Sequence, residues 1–326
     1  MASDQQRLTS FLVGRGFQPI DLSKLRGDAS QRAYYRFRDR GKPLILMDAP
    51  PQTNPKTRDF VEISKHLIQG GLIAPEVIDA DFEQGYLVLS DLGLSTARDI
   101  LISSPALERE IFTEIQSTLF LTEELSIPKL PVLSNKAAGE MTQIAAIQYA
   151  EMPELNKSIS SIVERYFDDY CLSERTLALR DFHVENVIWR KEFFGQSRVG
   201  LLDFQDAFYA PRGYDLVSLL RDVRYEVSPS TQNEILKSYT DHFGLDSAFK
   251  TQFHCLAIQR NLRILGVFAR LVKSEGKLRY ADFVPRTWEL LMGDLEQSEF
   301  SELKAVISGS FPRPTDPFLE SWGALH

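Results

Sequence analysis

Apolar and polar positions alternate in five short segments within the first 90 residues of the chain. β-Branched and aromatic residues are frequent there, and a period of two is typical of strands with one buried face. The predicted strands are Pro19–Leu25, Ala33–Arg38, Pro43–Asp48, Val77–Ala80 and Tyr86–Leu89. Helical spacing predicts helices over 4–14 and 57–69, and Gly70-Gly71 ends the second. This order predicts an α+β lobe with an antiparallel five-stranded sheet and a helix.

The pattern changes after the fifth predicted strand, where helical spacing becomes dominant. Residues 96–170 are mostly helical by pattern, and helical signals resume from Tyr214 to the end. A polar segment over 181–203 interrupts these helices. The chain therefore predicts two lobes, an N-terminal nucleotide-binding lobe over 1–91 and a mainly α-helical catalytic and acceptor-binding lobe over 92–326.

Acidic and amide side chains flank two short apolar runs in the polar segment. Asp181 lies five positions before Asn186, and Asp203 directly follows the run Val199–Leu202. That run and Val187–Trp189 are predicted to pair as a hairpin, which brings both polar clusters to one end. Phosphoryl transfer from ATP requires a carboxylate that orients a hydroxyl, and an amide and a carboxylate that hold Mg2+. Asp181 is the candidate for the first role, and Asn186 and Asp203 for the second.

Composition and charge narrow the class of protein. The 326 residues are 43% hydrophobic and 25% charged, which is ordinary for a globular protein. A net charge of −8 without a long basic run argues against a nucleic-acid surface. Cys171 and Cys255 do not have metal-ligand spacing. Without an apolar signal core or an apolar run of about 18 residues, the cytoplasm is the expected compartment and no membrane contact is expected. The oligomeric state stays open.

The residues around these candidates resemble the aminoglycoside phosphotransferase family of small-molecule kinases, which is distantly related to protein kinases. The resemblance is strongest in Leu179–Trp189 and Leu201–Ala207, and Tyr214-Asp215-Leu216 follows at a similar interval. Within the family, the chain is most similar to bacterial kinases that phosphorylate the anomeric hydroxyl of N-acetylmuramate and N-acetylglucosamine during peptidoglycan recycling. The segments that carry this closer resemblance are Gly27–Ser30, Met47–Pro51, Asp203–Ala207 and Gln259–Arg270. The resemblance implies a two-lobed protein-kinase-like fold, with ATP and Mg2+ as cofactors.

The resemblance also implies a set of nucleotide-binding residues. These are Gly27, Asp28, Ala29, Ser30, Arg32, Ser90, Asp91 and Leu92. Residues 90–92 would form the hinge between the lobes, whose backbone groups bond adenine. Met47 or Asp48 stands where kinases of this superfamily carry a phosphate-binding lysine. The turn over 27–30 can offer backbone N–H groups to the phosphates, and Arg32 is hypothesised to replace the lysine; otherwise Arg32 is a surface strand residue.

The remaining candidates concern the acceptor. They are His183, Glu185, Gln205, Asp206 and Arg263. Amides and carboxylates supply the directional donors and acceptors that a sugar needs, and Arg263 is the candidate for the carboxylate of N-acetylmuramate. His183 could equally be a satisfied loop histidine. The alternatives to an amino-sugar kinase are a kinase of an aminoglycoside, choline or homoserine, and a nucleotide-binding pseudokinase with a regulatory role.

Two positions leave structural questions open. Leu179 stands where most of the family has a histidine that braces the catalytic loop, so this loop must be braced in another way. Asp215 could cap the following helix, or it could reach back and bond the backbone of the loop. Both roles of Asp215 are structural rather than catalytic.

Overall fold

The computed structural model describes residues 4–25 and 32–323. The chain forms two compact units, and the hairpin segment belongs to the first of them. The first unit comprises Met1–Ala97 and Asn186–Asp206, and the second comprises Arg98–Glu185 and Ala207–His326. The lobe boundary predicted after residue 91 stays a prediction.

The secondary structure contains the seven strands that the apolar pattern predicts and two further strands, Arg175–Ala178 and Phe208–Pro211, that it did not predict. The strands are β1 (Pro19–Lys24), β2 (Ala33–Asp39), β3 (Lys42–Asp48), β4 (Val77–Asp81), β5 (Tyr86–Ser90), β6 (Arg175–Ala178), β7 (Val187–Trp189), β8 (Val199–Leu201) and β9 (Phe208–Pro211). The α-helices are α1 (Asp4–Gly14), α2 (Thr57–Gln69), α3 (Ala97–Ser103), α4 (Glu108–Glu124), α5 (Asn135–Glu140), α6 (Asn156–Tyr170), α7 (Tyr214–Leu220), α8 (Pro229–Phe243), α9 (Ala248–Lys273), α10 (Val284–Asp294), α11 (Ser301–Ser310) and α12 (Asp316–Glu320). Shorter helical segments are Pro105–Leu107, Ala145–Tyr149, Pro153–Leu155, Val184–Asn186, Gly195–Arg198, Leu278–Phe283 and Ser298–Phe300.

The first unit is built on an antiparallel sheet of five strands in the order β1-β2-β3-β5-β4. This confirms the predicted α+β class. Leu8 and Leu12 of α1 pack against one face of the sheet, where Leu44 and Leu46 of β3 belong to the same apolar core. Because successive side chains of a strand alternate between faces, Met47 lies on the opposite face from Leu46.

The second unit is mainly helical and has α9 through its interior. Most side chains of this 26-residue helix are buried. At Gly266 a Cβ atom would lie 2.4 Å from the backbone carbon of Ile144, so only glycine allows the two segments to approach this closely. The strands β6 and β9 pair in the same unit, with Ala178 opposite Phe208. No α-helix in the ranges 4–25 and 32–323 has the length and apolar character that a membrane span requires.

Candidate active site

The β7–β8 hairpin brings two candidate metal ligands to one end. Val187 lies opposite Leu201, and the amide of Leu202 donates a hydrogen bond of 2.9 Å to the carbonyl oxygen of Asn186. Asn186 directly precedes β7 and Asp203 follows β8 by two residues, so both lie at the same end of the hairpin. This arrangement confirms the predicted hairpin, whereas the convergence of Asp181 with Asp203 stays a prediction.

Asp203 adopts a left-handed backbone conformation with a φ of 59°. Non-glycine residues rarely adopt this conformation, although aspartate and asparagine tolerate it best. The side chain is 45% exposed, and Oδ1 accepts a hydrogen bond of 2.8 Å from Nε2 of Gln205. Gln205 is buried, and the same Nε2 lies 3.5 Å from Oδ2 of Asp206. An accessible carboxylate suits Mg2+, which prefers oxygen ligands and leaves the other positions to nucleotide and water.

Arg32 lies beside this carboxylate. Its Nη1 atom is 3.9 Å from Oδ1 of Asp203, and its side chain is only 8% exposed. Tyr34 hydrogen-bonds to Arg32; burial raises the pKa of the Tyr34 hydroxyl, and Arg32 opposes that rise. Tyr34 is the register partner of Met47, and directly paired residues of antiparallel strands share a face. The guanidinium of Arg32 is thus on the face where the expected lysine is missing.

Side-chain hydrogen bonds hold Ser90 and Asp91, two residues of the predicted hinge. Arg36 binds Asp91 through two hydrogen bonds of 2.6 and 2.8 Å and also donates to the carbonyl of Gly93 at 2.9 Å. The hydroxyl of Ser90 accepts from the amide of Glu76 at 2.8 Å. These bonds stiffen the segment around Leu92, whereas backbone recognition of adenine stays a prediction. The predicted turn over 27–30 lies outside the described residues.

In the second unit, two buried aspartates hold the backbone around Asp181. Asp215 accepts hydrogen bonds from the amides of Leu179 and Arg180 at 2.5 and 3.0 Å, and Asp222 accepts one from Val184 at 3.2 Å. Burial raises the pKa of Asp215 to about 7, and the two amides oppose that rise. These carboxylates brace the loop without the histidine that Leu179 replaces.

The same contacts decide between the two roles considered for Asp215. The N-cap of α7 is Gly213, and no side chain caps this helix end. Asp215 is buried and directed at the loop amides, so it supports the loop around Asp181 rather than the helix terminus. Asp222 carries no distinctive signal in the sequence, because it is an isolated acidic residue just after the apolar run of α7.

Asp181 contacts an arginine of α9. Nη2 of Arg263 lies 3.5 Å from Oδ1 of Asp181, and this guanidinium is nearly buried. The Asp181 side chain is 36% exposed, so a small molecule can reach its carboxylate. The sequence predicted both residues as site members, and the contact between them is a structural finding.

The other two loop candidates lie among cations of the second unit. His183 is buried, and this burial, together with Arg224 and Arg260, holds its pKa well below the usual value. The imidazole is therefore neutral near pH 7. Glu185 pairs with Arg224 at 2.9 Å and with Arg98 at 3.4 Å. These contacts give both residues structural partners, and their roles in substrate binding stay predictions.

Comparison with known proteins places this geometry in a family. The model of the phosphotransferase enzyme family (APH) matches residues 21–248. An N-acetylmuramate/N-acetylglucosamine kinase of Caulobacter vibrioides is 33% identical, over 94% of this chain and 96% of that protein. A kinase of the same name from Pseudomonas aeruginosa is 28% identical over 89% of both chains.

Solved structures agree at the level of the fold. A choline kinase from Streptococcus pneumoniae has a TM-score of 0.66 at 15% identity, over 89% of this chain and all of that chain. At this identity the similarity concerns architecture alone, and it confirms the predicted kinase-like fold. The family model and the long matches to curated kinases go further: the chain belongs to the phosphotransferase enzyme family and is an ATP-dependent small-molecule kinase.

Proposed function

We propose that this kinase phosphorylates the anomeric hydroxyl of N-acetylmuramate or N-acetylglucosamine, with Mg2+ as cofactor, in the recycling of cell-wall sugars. The observation that carries the proposal is the 33% identity, over nearly the whole chain, to a kinase named for these two sugars. Arg263 lies 3.5 Å from the carboxylate proposed to act on the hydroxyl, which puts its guanidinium within the proposed acceptor site.

The first unit would bind the metal and the nucleotide. Asn186 and Asp203 would hold Mg2+, which neutralises charge that develops on the β- and γ-phosphates. Arg32 would add a positive charge on the Met47 face, and the hinge over 90–92 would contact the base. Gln205 and Asp206 remain candidates for acceptor hydroxyls, because the amide and the carboxylate together offer donors and acceptors.

The second unit would supply the group that orients the acceptor. Asp181 would accept the hydrogen bond of the attacking hydroxyl, and a loose phosphoryl-transfer transition state requires positioning more than strong basicity. Asp215 and Asp222 act on this step through the loop backbone, so they are positioning residues. Because three loop amides are tied to these carboxylates, the loop is held before substrate arrives.

An ADP-release assay across a panel of acceptors tests the proposal. We expect turnover with N-acetylmuramate and N-acetylglucosamine, and none with the 1-O-methyl glycoside of N-acetylglucosamine, in which the anomeric hydroxyl is blocked. Choline and an aminoglycoside complete the panel. Turnover with the blocked glycoside, or only with choline or the aminoglycoside, would contradict the proposed acceptor and hydroxyl.

Arg263→Met should change the preference between the two sugars. Only N-acetylmuramate carries a carboxylate, so loss of the guanidinium should lower its kcat/KM about tenfold or more relative to N-acetylglucosamine. The ratio of the two kcat/KM values is compared, because a disturbance of Asp181 lowers both values and cancels in the ratio. Arg270→Met, on the same helix at a position with 47% side-chain exposure, is the matched control. An equal loss for both sugars would remove Arg263 from carboxylate recognition.

A further inference from the structure

A second cation of the first unit lies at the carboxylates that follow β8. Nζ of Lys56 forms an ion pair with Oδ1 of Asp206, three residues after Asp203. The lysine immediately precedes α2, and its side chain is 48% exposed. Nothing in the apolar pattern or in the spacing of motifs distinguishes it from other surface lysines.

The backbone that carries Lys56 is well fixed. The amide of Asn54 donates to the carbonyl of Pro50, and the hydroxyl of Thr57 donates to the carbonyl of Asn54, each at 2.9 Å. Phe60, one turn into α2, stacks on Phe204 with ring centroids 4.9 Å apart and an interplanar angle of 16°. Both rings are buried. The stacking holds the start of α2 against the segment that carries Asp203 and Asp206.

Carboxylates and cations meet in this cluster of the described residues. Two carboxylates, Asp203 and Asp206, lie against two cations, Arg32 and Lys56. The two cations differ in solvent exposure, since the Arg32 side chain is 8% exposed and the Lys56 side chain is 48% exposed. An exposed ion pair of this kind is worth at most about 1 kcal/mol, so a triphosphate can compete for the ammonium group.

We infer that Lys56 is a mobile phosphate-binding cation that leaves Asp206 for the triphosphate of bound ATP. It thereby shares with Arg32 the task of the third-strand lysine that Met47 replaces. The backbone of Lys56 is fixed at the start of α2. Its flexible side chain can therefore contact either the Asp206 carboxylate or the triphosphate. The inference rests on the proposed use of Asp203 at the nucleotide, and it does not depend on which acceptor the kinase uses.

Calorimetric titration of ATP and ADP, with and without Mg2+, tests the inference independently of the acceptor. Lys56→Met should weaken ATP binding about tenfold to a hundredfold, the usual range for loss of a charge-assisted bond. Lys56→Arg should retain most of the affinity. Lys65→Met, which removes an exposed lysine within α2, should bind as the wild type does. Unchanged ATP affinity in Lys56→Met would overturn the inference.

A double-mutant cycle separates a direct role from one that acts through Asp206. If Lys56 binds phosphate itself, Lys56→Met should weaken ATP binding in the Asp206→Asn background as well. If the lysine only positions Asp206, its effect should vanish there, and the inference fails. A wild type that binds ATP but phosphorylates no amino sugar would instead contradict the proposed function, so the two failures are distinguishable.

Discussion

We expect Asp181→Asn to lower kcat about a hundredfold to ten-thousandfold, while the affinity for ATP changes less than about twofold. Removing a positioned acid–base group costs this much when it acts in the transition state. The amide has the same shape as the carboxylate and can keep its contact with Arg263. It cannot accept the proton of the acceptor hydroxyl, so the loss should appear in turnover rather than in nucleotide binding.

Steady-state kinetics with N-acetylmuramate and a separate ATP titration measure these two effects. Asp169→Asn, on the exposed surface of α6, makes the same change in charge away from the loop and should leave kcat unaltered. Near-native turnover in Asp181→Asn would mean that another group orients the hydroxyl. A parallel loss of ATP affinity would mean that Asp181 belongs to nucleotide binding instead.

The second large effect is expected at Asp203. Asp203→Asn should weaken nucleotide binding in the presence of Mg2+ by about a hundredfold or more, and should change binding little without it. Loss of residues that only support a metal ligand already costs about tenfold to a hundredfold, so loss of a direct anionic ligand should cost at least the upper value. Asparagine tolerates the left-handed backbone of this position, which alanine does not.

The chain contains a close control for this substitution. Asp21 is exposed in β1 and has the same φ of 59° as Asp203. Asp21→Asn therefore makes the same chemical change in the same backbone conformation, and should bind nucleotide as the wild type does. Calorimetric titration of ADP with and without Mg2+ compares the two variants. An equal loss with and without Mg2+ in Asp203→Asn would exclude the proposed metal role.

Much of the first unit is predictable from local sequence. The five strands and two helices agree with the apolar periods to within about two residues. The hairpin of β7 and β8 is equally local, because short apolar runs flanked by polar residues leave few alternative pairings. Local periodicity is sufficient there because each element buries one face, and its own residues specify that face.

The residues that support the loop around Asp181 could be predicted only in part. The sequence left Asp215 with two possible roles, and the choice depends on contacts with Leu179 and Arg180, 36 and 35 residues earlier in the chain. Leu179 indicated that some other brace must exist, and the packing of α7 supplies it. The sequence does not predict that the Asp215 carboxylate is buried, because aspartate is rarely buried and a single acidic residue between apolar neighbours gives no sign of it.

By itself, the sequence determined the strands and helices of the first unit, the Asp181–Asn186–Asp203 constellation and the kinase family. Only the tertiary structure decided which cations meet the carboxylates of the candidate site: Arg263 at Asp181, and Lys56 at Asp206 across a separation of 150 residues. The physical reason is that charged side chains carry no periodic signal. Their partners are chosen by the packing of distant apolar residues, such as the stacking of Phe60 on Phe204 that brings the start of α2 to the end of β8.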